Sequence, residues 1–190
     1  EITGNASAAN DAEGSDGPFC TPFRYAGKDL LLLSGYHEGD ELVTHRLALV
    51  TAEGAVQWKM DQEFEHHERE KYWIGNFSGV DVDGDGSDEL INEASSSHWG
   101  ADSTWLNVSK VIPDGVQALT SSDAAILLSE NNEAAADPDD PDGEVIACDG
   151  KLEFVAASTG RNIVVSYTGT GCAAPKRTWS LQAGTLTEVK

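Results

Sequence analysis

The stretch DVDGDGSDEL, residues 81–90, lies between two runs that have the composition of β-strands, and it decides how the middle of the chain folds. Five acids fall within nine of its positions. Like charges this close repel one another even in water, so the stretch requires a compensating cation. Gly84 and Gly86 let the backbone curl, which brings alternate side chains together instead of spreading them along a strand face.

Converging carboxylates at this spacing predict a calcium site. Calcium takes about six to eight oxygen ligands and tolerates irregular geometry. We expect the Ser87 carbonyl to complete a shell built from carboxylates, with water filling any gap. The predicted ligand residues are Asp81, Asp83, Asp85, Ser87 and Glu89.

Two loop families begin with D-x-D-x-D-G, and the residues downstream separate them. An EF-hand loop needs a glutamate at its twelfth position and a helix on either side. Here the twelfth residue is Asn92, Glu93 comes one residue late, and both flanks have the sequence of strands. The stretch instead resembles the calcium loop of FG-GAP or VCBS repeats, the blades of integrin-like propellers.

This resemblance covers residues 73–93 only. The family pattern D-x-D-x-D-G-x-x-D leads directly into a hydrophobic strand, and Glu89 stands where the family more often has aspartate. The resemblance implies a structural calcium ion that ties a loop between strands. A propeller needs at least about four blades, and this chain shows one such loop, so we expect a shorter β fold that contains it. The matching residues are Asp81, Asp83, Asp85 and Gly86, followed by Leu90 and Ile91.

Composition predicts a mainly β protein with little helix. Of the 190 residues 39% are hydrophobic, and 19 glycines indicate many turns. We expect a single β-rich domain at residues 19–190, either a sandwich or blade-like antiparallel sheets with the calcium loop inserted. A flexible leader is expected at residues 1–18. Pro138 and Pro141 predict an acidic surface loop at residues 131–143.

Some segments carry more specific predictions. The region Ser121–Glu130 is expected to form one short helix. The charged residues 61–70 are interpreted as a short exposed helix or a loop. Glu53 and Gly54 predict a turn between two strands. The C-terminal part is expected to be a meander of four strands, with turns at residues 148–151, 158–162, 169–175 and 182–185.

Cysteine spacing indicates an oxidising compartment. Cys148 and Cys172 flank two strand-like runs with a turn between, and a hairpin would bring them to bridging distance. Cys20 is then a free thiol or a partner in another pairing, and three reduced thiols in the cytosol are the alternative. The first residues are small and polar, and no apolar run could span a bilayer. We interpret the protein as exported, that is periplasmic, cell-surface or secreted, without membrane insertion.

The charge balance argues against anionic partners. Thirty-three acids against twelve bases give a formal net charge of −21. Nucleic acid and anionic lipid headgroups would be repelled by this surface. The same excess also keeps a protein soluble in salt, which is an equally good reason for most of the charge.

Function is predicted from the metal loop and from the weakness of any catalytic pattern. We expect a binding or adhesion module for a protein or glycan ligand, with structural calcium and no predicted catalytic residues. The alternatives are a calcium-supported extracellular hydrolase of a glycan or ester that uses His98, Asp102 and nearby serines, or an inhibitor or accessory protein of a secreted factor. No nucleophile motif accompanies those residues. Trp99 and Trp105 suit either a binding rim or an ordinary core.

Overall fold

The described residues of the protein form thirteen β-strands in two antiparallel sheets. A computed structural model describes residues 19–38, 42–65, 73–98, 101–120, 126–133 and 145–189. These residues contain essentially no helix. The prediction of a mainly β fold with little helix is therefore confirmed.

The smaller sheet is a four-stranded meander in which each strand pairs with the next along the chain. Its turn between the third and fourth strands contains Gly54, as predicted from the sequence. The predicted helix or loop at residues 61–70 is wrong at residues 61–65, because these residues complete the pairing with the third strand, and residues 66–70 lie outside the described part of the chain. The strands are β1 (Phe19–Tyr25), β2 (Lys28–Glu38), β3 (Leu42–Val50) and β4 (Val56–Glu65).

The larger sheet has nine strands in the order β13-β12-β11-β10-β9-β7-β6-β5, with β8 paired to β7. Its last four strands are the predicted C-terminal meander. The nine strands are β5 (Trp73–Val80), β6 (Glu89–His98), β7 (Ala101–Ile112), β8 (Gly115–Ala118), β9 (Ile126–Asn131), β10 (Ala147–Ala156), β11 (Arg161–Thr170), β12 (Lys176–Gln182) and β13 (Thr185–Glu188).

The larger sheet curls so that its last strand, β13, is hydrogen-bonded to the segment that follows β8. Leu119 N–H donates to the Val108 carbonyl at 2.8 Å, and the Leu119 carbonyl accepts from Leu186 N–H of β13 at 2.8 Å. Curling encloses a core of buried apolar side chains. This first core contains Val82, Ile91, Leu106, Val108, Leu119, Ile126, Leu128, Ile163, Val165, Trp179 and Leu186.

A second core lies where the small sheet packs against the large one. Alternation along β6 sends Leu90 to this core and its neighbour Ile91 to the first. Trp58 fixes the contact further, because its Nε1–H donates to the Ile112 carbonyl at 2.8 Å. The second core contains Phe23, Leu30, Leu32, Leu47, Leu49, Trp58, Leu90 and Val111.

Two further local predictions were wrong. Residues 126–130 of the predicted helix lie in β9, where Ile126 and Leu128 are buried at alternate positions, and residues 121–125 are outside the described part of the chain. The turn predicted at residues 148–151 lies inside β10, paired with β11. The other three turns of the meander are confirmed.

The predicted disulfide is present and joins Cys148 in β10 to Cys172 after β11, with a Cα–Cα distance of 5.3 Å. Cys20 is a free, exposed thiol. The expected leader at 1–18 and residues 134–143 of the expected acidic surface loop lie outside the described residues. No helix in the described part of the chain has the length and apolar character needed to cross a membrane.

Candidate metal centre

The acidic loop, residues 81–88, connects β5 to β6 and is anchored on one side by the small sheet. Arg24 N–H donates to Asp88 Oδ2 at 2.6 Å, and Asp88 N–H donates back to the Arg24 carbonyl at 2.7 Å. Ser87 Oγ accepts from Ala26 N–H at 3.3 Å. These bonds tie the loop to the end of β1 and to the turn that follows it.

On its other side the loop contacts the turn between β10 and β11. Arg161 N–H donates to the Val82 carbonyl at 2.9 Å. Gly160 has a φ of +66°, and a Cβ there would lie 2.0 Å from the Val82 oxygen, so only glycine fits this approach. The acidic loop is therefore the junction between the small sheet and the β10–β11 hairpin.

Aspartate side chains fold the loop by accepting hydrogen bonds from its own backbone. Asp81 Oδ1 accepts from Gly84 N–H at 2.7 Å, and its Oδ2 accepts from Gly86 N–H at 3.2 Å. Both glycines have positive φ angles, +79° and +87°. Asp83 Oδ1 accepts from Asp85 N–H at 3.0 Å. The curl that the glycines predict is thus present.

Three carboxylates converge at the base of the loop. One ligand atom each from Asp81, Asp83 and Glu89 lies within 4.8 Å of the other two. Glu89 is fully buried, with a relative exposure of 0%. Its Oε2 accepts from the N–H groups of Val82 at 2.7 Å and Asp83 at 3.2 Å. Its Oε1 is buried and has no hydrogen-bond partner among the described residues.

A buried, half-satisfied carboxylate is costly, and the pKa of Glu89 reflects that cost. Burial raises its pKa from 4.5 to about 7, and the nearby charge of Asp83 acts in the same direction. Burying a charged carboxylate oxygen without a hydrogen-bond partner costs roughly several kcal/mol of folding free energy, unless a counter-charge lies beside it. The Glu89 carboxylate is therefore the group at this site that a nearby cation would stabilise most.

One protein cation already lies in the loop. Lys110 Nζ of β7 donates to Asp83 Oδ2 at 2.5 Å and to Asp85 Oδ2 at 2.6 Å. Its hydrogen bond lowers the pKa of Asp85, and the two aspartates raise the pKa of Lys110. This ammonium bonds two of the four carboxylates of Asp81, Asp83, Asp85 and Glu89. Negative charge remains in excess.

The structure brings together part of the predicted ligand set. Asp81, Asp83 and Glu89 form the converging group, whereas Asp85 faces Lys110 and accepts from Ser87 N–H at 2.8 Å. The five-residue calcium shell remains a prediction.

Lys110 was not predicted to belong to the site. Its place follows from the pairing of β6 with β7, where Leu90 faces Ser109, and no motif within the loop indicates it. Residue spacing along the chain gives no sign of a contact 25 to 27 positions away.

The ligand chemistry of the group is restricted. All of its candidate ligand atoms are carboxylate oxygens, which suit hard cations such as calcium and magnesium. The described residues place no histidine or cysteine in the group. A structural divalent ion at this junction would neutralise the excess charge and hold the surrounding elements together.

The segment proposed for the alternative hydrolase spans the ends of β6 and β7. Ser95 Oγ shares a hydrogen bond of 2.9 Å with Thr104 Oγ1 across the two strands. Asp102 is exposed on β7, and Trp105 is half-buried. The side chain of His98 and residue 99 lie outside the described part of the chain.

Comparison with known proteins gives no match to this chain: no protein-family model, no curated protein and no solved structure matches it. The functional interpretation therefore depends on the geometry of the acidic loop.

Proposed function

We propose that this protein is an exported, calcium-binding module of the binding or adhesion type, in which one structural calcium ion occupies the acidic loop. The observation that carries the proposal is the Glu89 carboxylate. It is fully buried, one of its oxygens has no hydrogen-bond partner among the described residues, and it lies beside the carboxylates of Asp81 and Asp83. A divalent cation supplies the missing partner.

Calcium fits this loop better than magnesium. Magnesium demands a nearly ideal octahedron and gives up its waters reluctantly, whereas calcium accepts an irregular set of carboxylate, carbonyl and water oxygens. The acidic loop is shaped by its own backbone hydrogen bonds and not by a regular array of ligands. The resemblance of residues 73–93 to FG-GAP and VCBS loops supports the same ion.

A structural role for the ion is supported by the position of the loop. The Asp88 side chain bonds the end of β1, and the Val82 carbonyl bonds the start of β11. An ion held between these anchors would stabilise both contacts, leaving the outer surfaces of the sheets for a protein or glycan ligand. Export is supported by the Cys148–Cys172 disulfide, since such bonds persist in oxidising compartments.

Thermal unfolding in calcium and in EGTA tests the proposal. A ligand that binds only the folded state stabilises it by about 2.7 kcal/mol at a concentration about 100 times its Kd. We expect calcium to raise the Tm and EGTA to lower it. Asp83→Ala should lower the Tm without chelator and abolish the response to calcium.

The matched control is Asp61→Ala, which removes one carboxylate from the exposed face of β4, where Asp61 faces Arg46 at 3.9 Å. This variant should keep the full calcium response. Equal melting of the wild-type protein with and without calcium would contradict the proposal. The hydrolase and inhibitor alternatives stay predictions, and no contact among the described residues favours either over a binding module.

A further inference from the structure

Lys110 is the single basic side chain that the described residues place against the acidic loop. It projects from β7, and the register that pairs Leu90 with Ser109 puts it beside Glu89 at the start of β6. Its side chain is 34% exposed, so solvent screens it only in part. The loop has therefore acquired a protein cation from a neighbouring strand.

Lys110 donates to the two aspartate oxygens that accept no hydrogen bond from the backbone of the loop. Asp83 Oδ1 and Asp85 Oδ1 accept backbone N–H groups of the loop itself. The remaining oxygens, Asp83 Oδ2 and Asp85 Oδ2, both accept from Lys110 Nζ. A calcium ion that binds either aspartate through its Oδ2 must therefore displace the Lys110 ammonium from that oxygen.

We propose that Lys110 sets the calcium affinity of the loop, because its ammonium competes with the ion for Asp83 and Asp85. The inference rests on the proposed calcium site. Without calcium, Lys110 offsets part of the carboxylate repulsion and helps to keep the loop folded. When calcium enters, the ammonium must withdraw from Asp83 and Asp85, and the loss of these two hydrogen bonds weakens calcium binding.

A buried oxygen that the lysine does not reach indicates that the ammonium is not the final occupant. Glu89 Oε1 is buried and has no hydrogen-bond partner among the described residues, although Lys110 lies on the adjacent strand. The Lys110 ammonium therefore leaves Glu89 without a counter-charge in contact with it among the residues that the structure describes. A calcium site with such a competitor would bind the ion weakly, with a Kd of about 10⁻⁴ to 10⁻³ M, which is typical of extracellular modules.

Isothermal titration with calcium chloride, at fixed pH and ionic strength, compares the wild-type protein with Lys110→Met and Lys151→Met. Lys151 is the matched control, since it is an exposed lysine of β10 that pairs with Glu153. We expect Lys110→Met to bind calcium about tenfold more tightly or better, because removing the competing charge strengthens the field on the ion. Lys151→Met should bind like the wild type.

Melting of the same proteins supplies a second readout. Lys110→Met should have a lower Tm than the wild type in EGTA and a larger rise on adding calcium. If the variant does not fold, Lys110→Gln replaces it, and amine labelling of the wild-type protein followed by peptide mass spectrometry decides. Labelling of Lys110 should increase when calcium is added, while that of Lys151 should not change.

The failure of this inference differs from the failure of the proposed function. Calcium binding by the wild type with equal or weaker binding by the Lys110 variant, or labelling that calcium leaves unchanged, overturns the role of Lys110 and leaves the calcium site standing. A wild-type protein and a Lys110 variant that both give no calcium heat and no melting shift overturn both.

Discussion

Two charged clusters in this protein differ in how well their charges are balanced. At the β12–β13 hairpin, Arg177 donates two hydrogen bonds to the two carboxylate oxygens of Glu188, at 2.8 and 2.6 Å. Its guanidinium also lies 5.1 Å from the centre of the Trp179 ring. In the acidic loop, one lysine bonds Asp83 and Asp85, while the carboxylates of Asp81 and Glu89 lie close to Asp83.

The two clusters differ as a satisfied ion pair differs from a candidate cation site. Glu188 is 37% exposed and meets its counter-charge in a bidentate geometry, which is the favourable form of such a pair. Glu89 is fully buried, and one of its oxygens has no hydrogen-bond partner among the described residues. A buried oxygen without a donor therefore distinguishes the acidic loop, as a candidate cation site, from the satisfied ion pair.

Gly160→Ala should destabilise the protein most, because it disturbs the contact between the β10–β11 turn and the acidic loop. The new Cβ would lie 2.0 Å from the Val82 oxygen at a φ of +66°, so the β10–β11 turn must move off the loop. We expect a loss of about 3 kcal/mol or more in the free energy of unfolding, measured by urea denaturation, together with weaker calcium binding.

Gly54→Ala is the control for that substitution. Gly54 also has a positive φ, +87°, but a Cβ there would meet nothing within 4 Å. It should cost only about 1 kcal/mol, the strain of the backbone alone. Equal losses in the two variants would mean that the contact between the turn and the acidic loop contributes nothing.

Without calcium, the free energy of unfolding should depend on pH through Glu89. Because the pKa of Glu89 rises from 4.5 to about 7 on folding, the native state holds its proton more tightly than the unfolded chain. The stabilisation is complete below pH 4.5 and is lost as the pH rises through about 7. The loss is on the order of 3 kcal/mol, at about 1.4 kcal/mol for each pKa unit.

Glu89→Gln isolates this contribution, since the amide does not titrate. The variant should show a smaller fall in stability between pH 4.5 and 8 than the wild type when both are measured in EGTA by urea denaturation. Calcium should also reduce the fall in the wild type, because the ion favours the ionised carboxylate. A variant with an unchanged pH profile would show that Glu89 is not the titrating group.

Arg177→Met tests the balanced cluster and should have a smaller effect than Gly160→Ala or the ionisation of Glu89. We expect a loss of about 1–2 kcal/mol, between the values for exposed and buried pairs, since both partners are partly exposed. The loss, measured as a shift in the urea midpoint, should be the same in calcium and in EGTA. A diminished calcium response would show that the two clusters are coupled.

Local patterns were sufficient for most of the strands and for the acidic loop. The turn at Glu53 and Gly54 predicted β3 and β4, the strand-like flanks of the acidic loop predicted β5 and β6, and the two strand-like runs between Cys148 and Cys172 predicted their bond. The convergence of Asp81 and Asp83 followed from Gly84 and Gly86, which come after them. Each of these features depends on residues close together in sequence.

Features that depend on distant partners were missed. The short apolar run at residues 126–128 suits a helix or a strand, and its insertion between β7 and β10 decides for the strand. Gly150 suggested a turn but lies within β10, where a Cβ would approach both the Leu128 carbonyl and Val165 at 2.5 Å. Lys110 reaches the acidic loop only because β7 pairs with β6.

The bond between Leu186 and Leu119 also bears on self-association. An outer strand with free N–H and C=O groups is a template on which another chain can add, the first step of fibril growth. Here Leu186 N–H, on the outer side of the short strand β13, is already taken by the Leu119 carbonyl of the same molecule. Closure of the curled sheet therefore removes one place where a second copy could begin to stack.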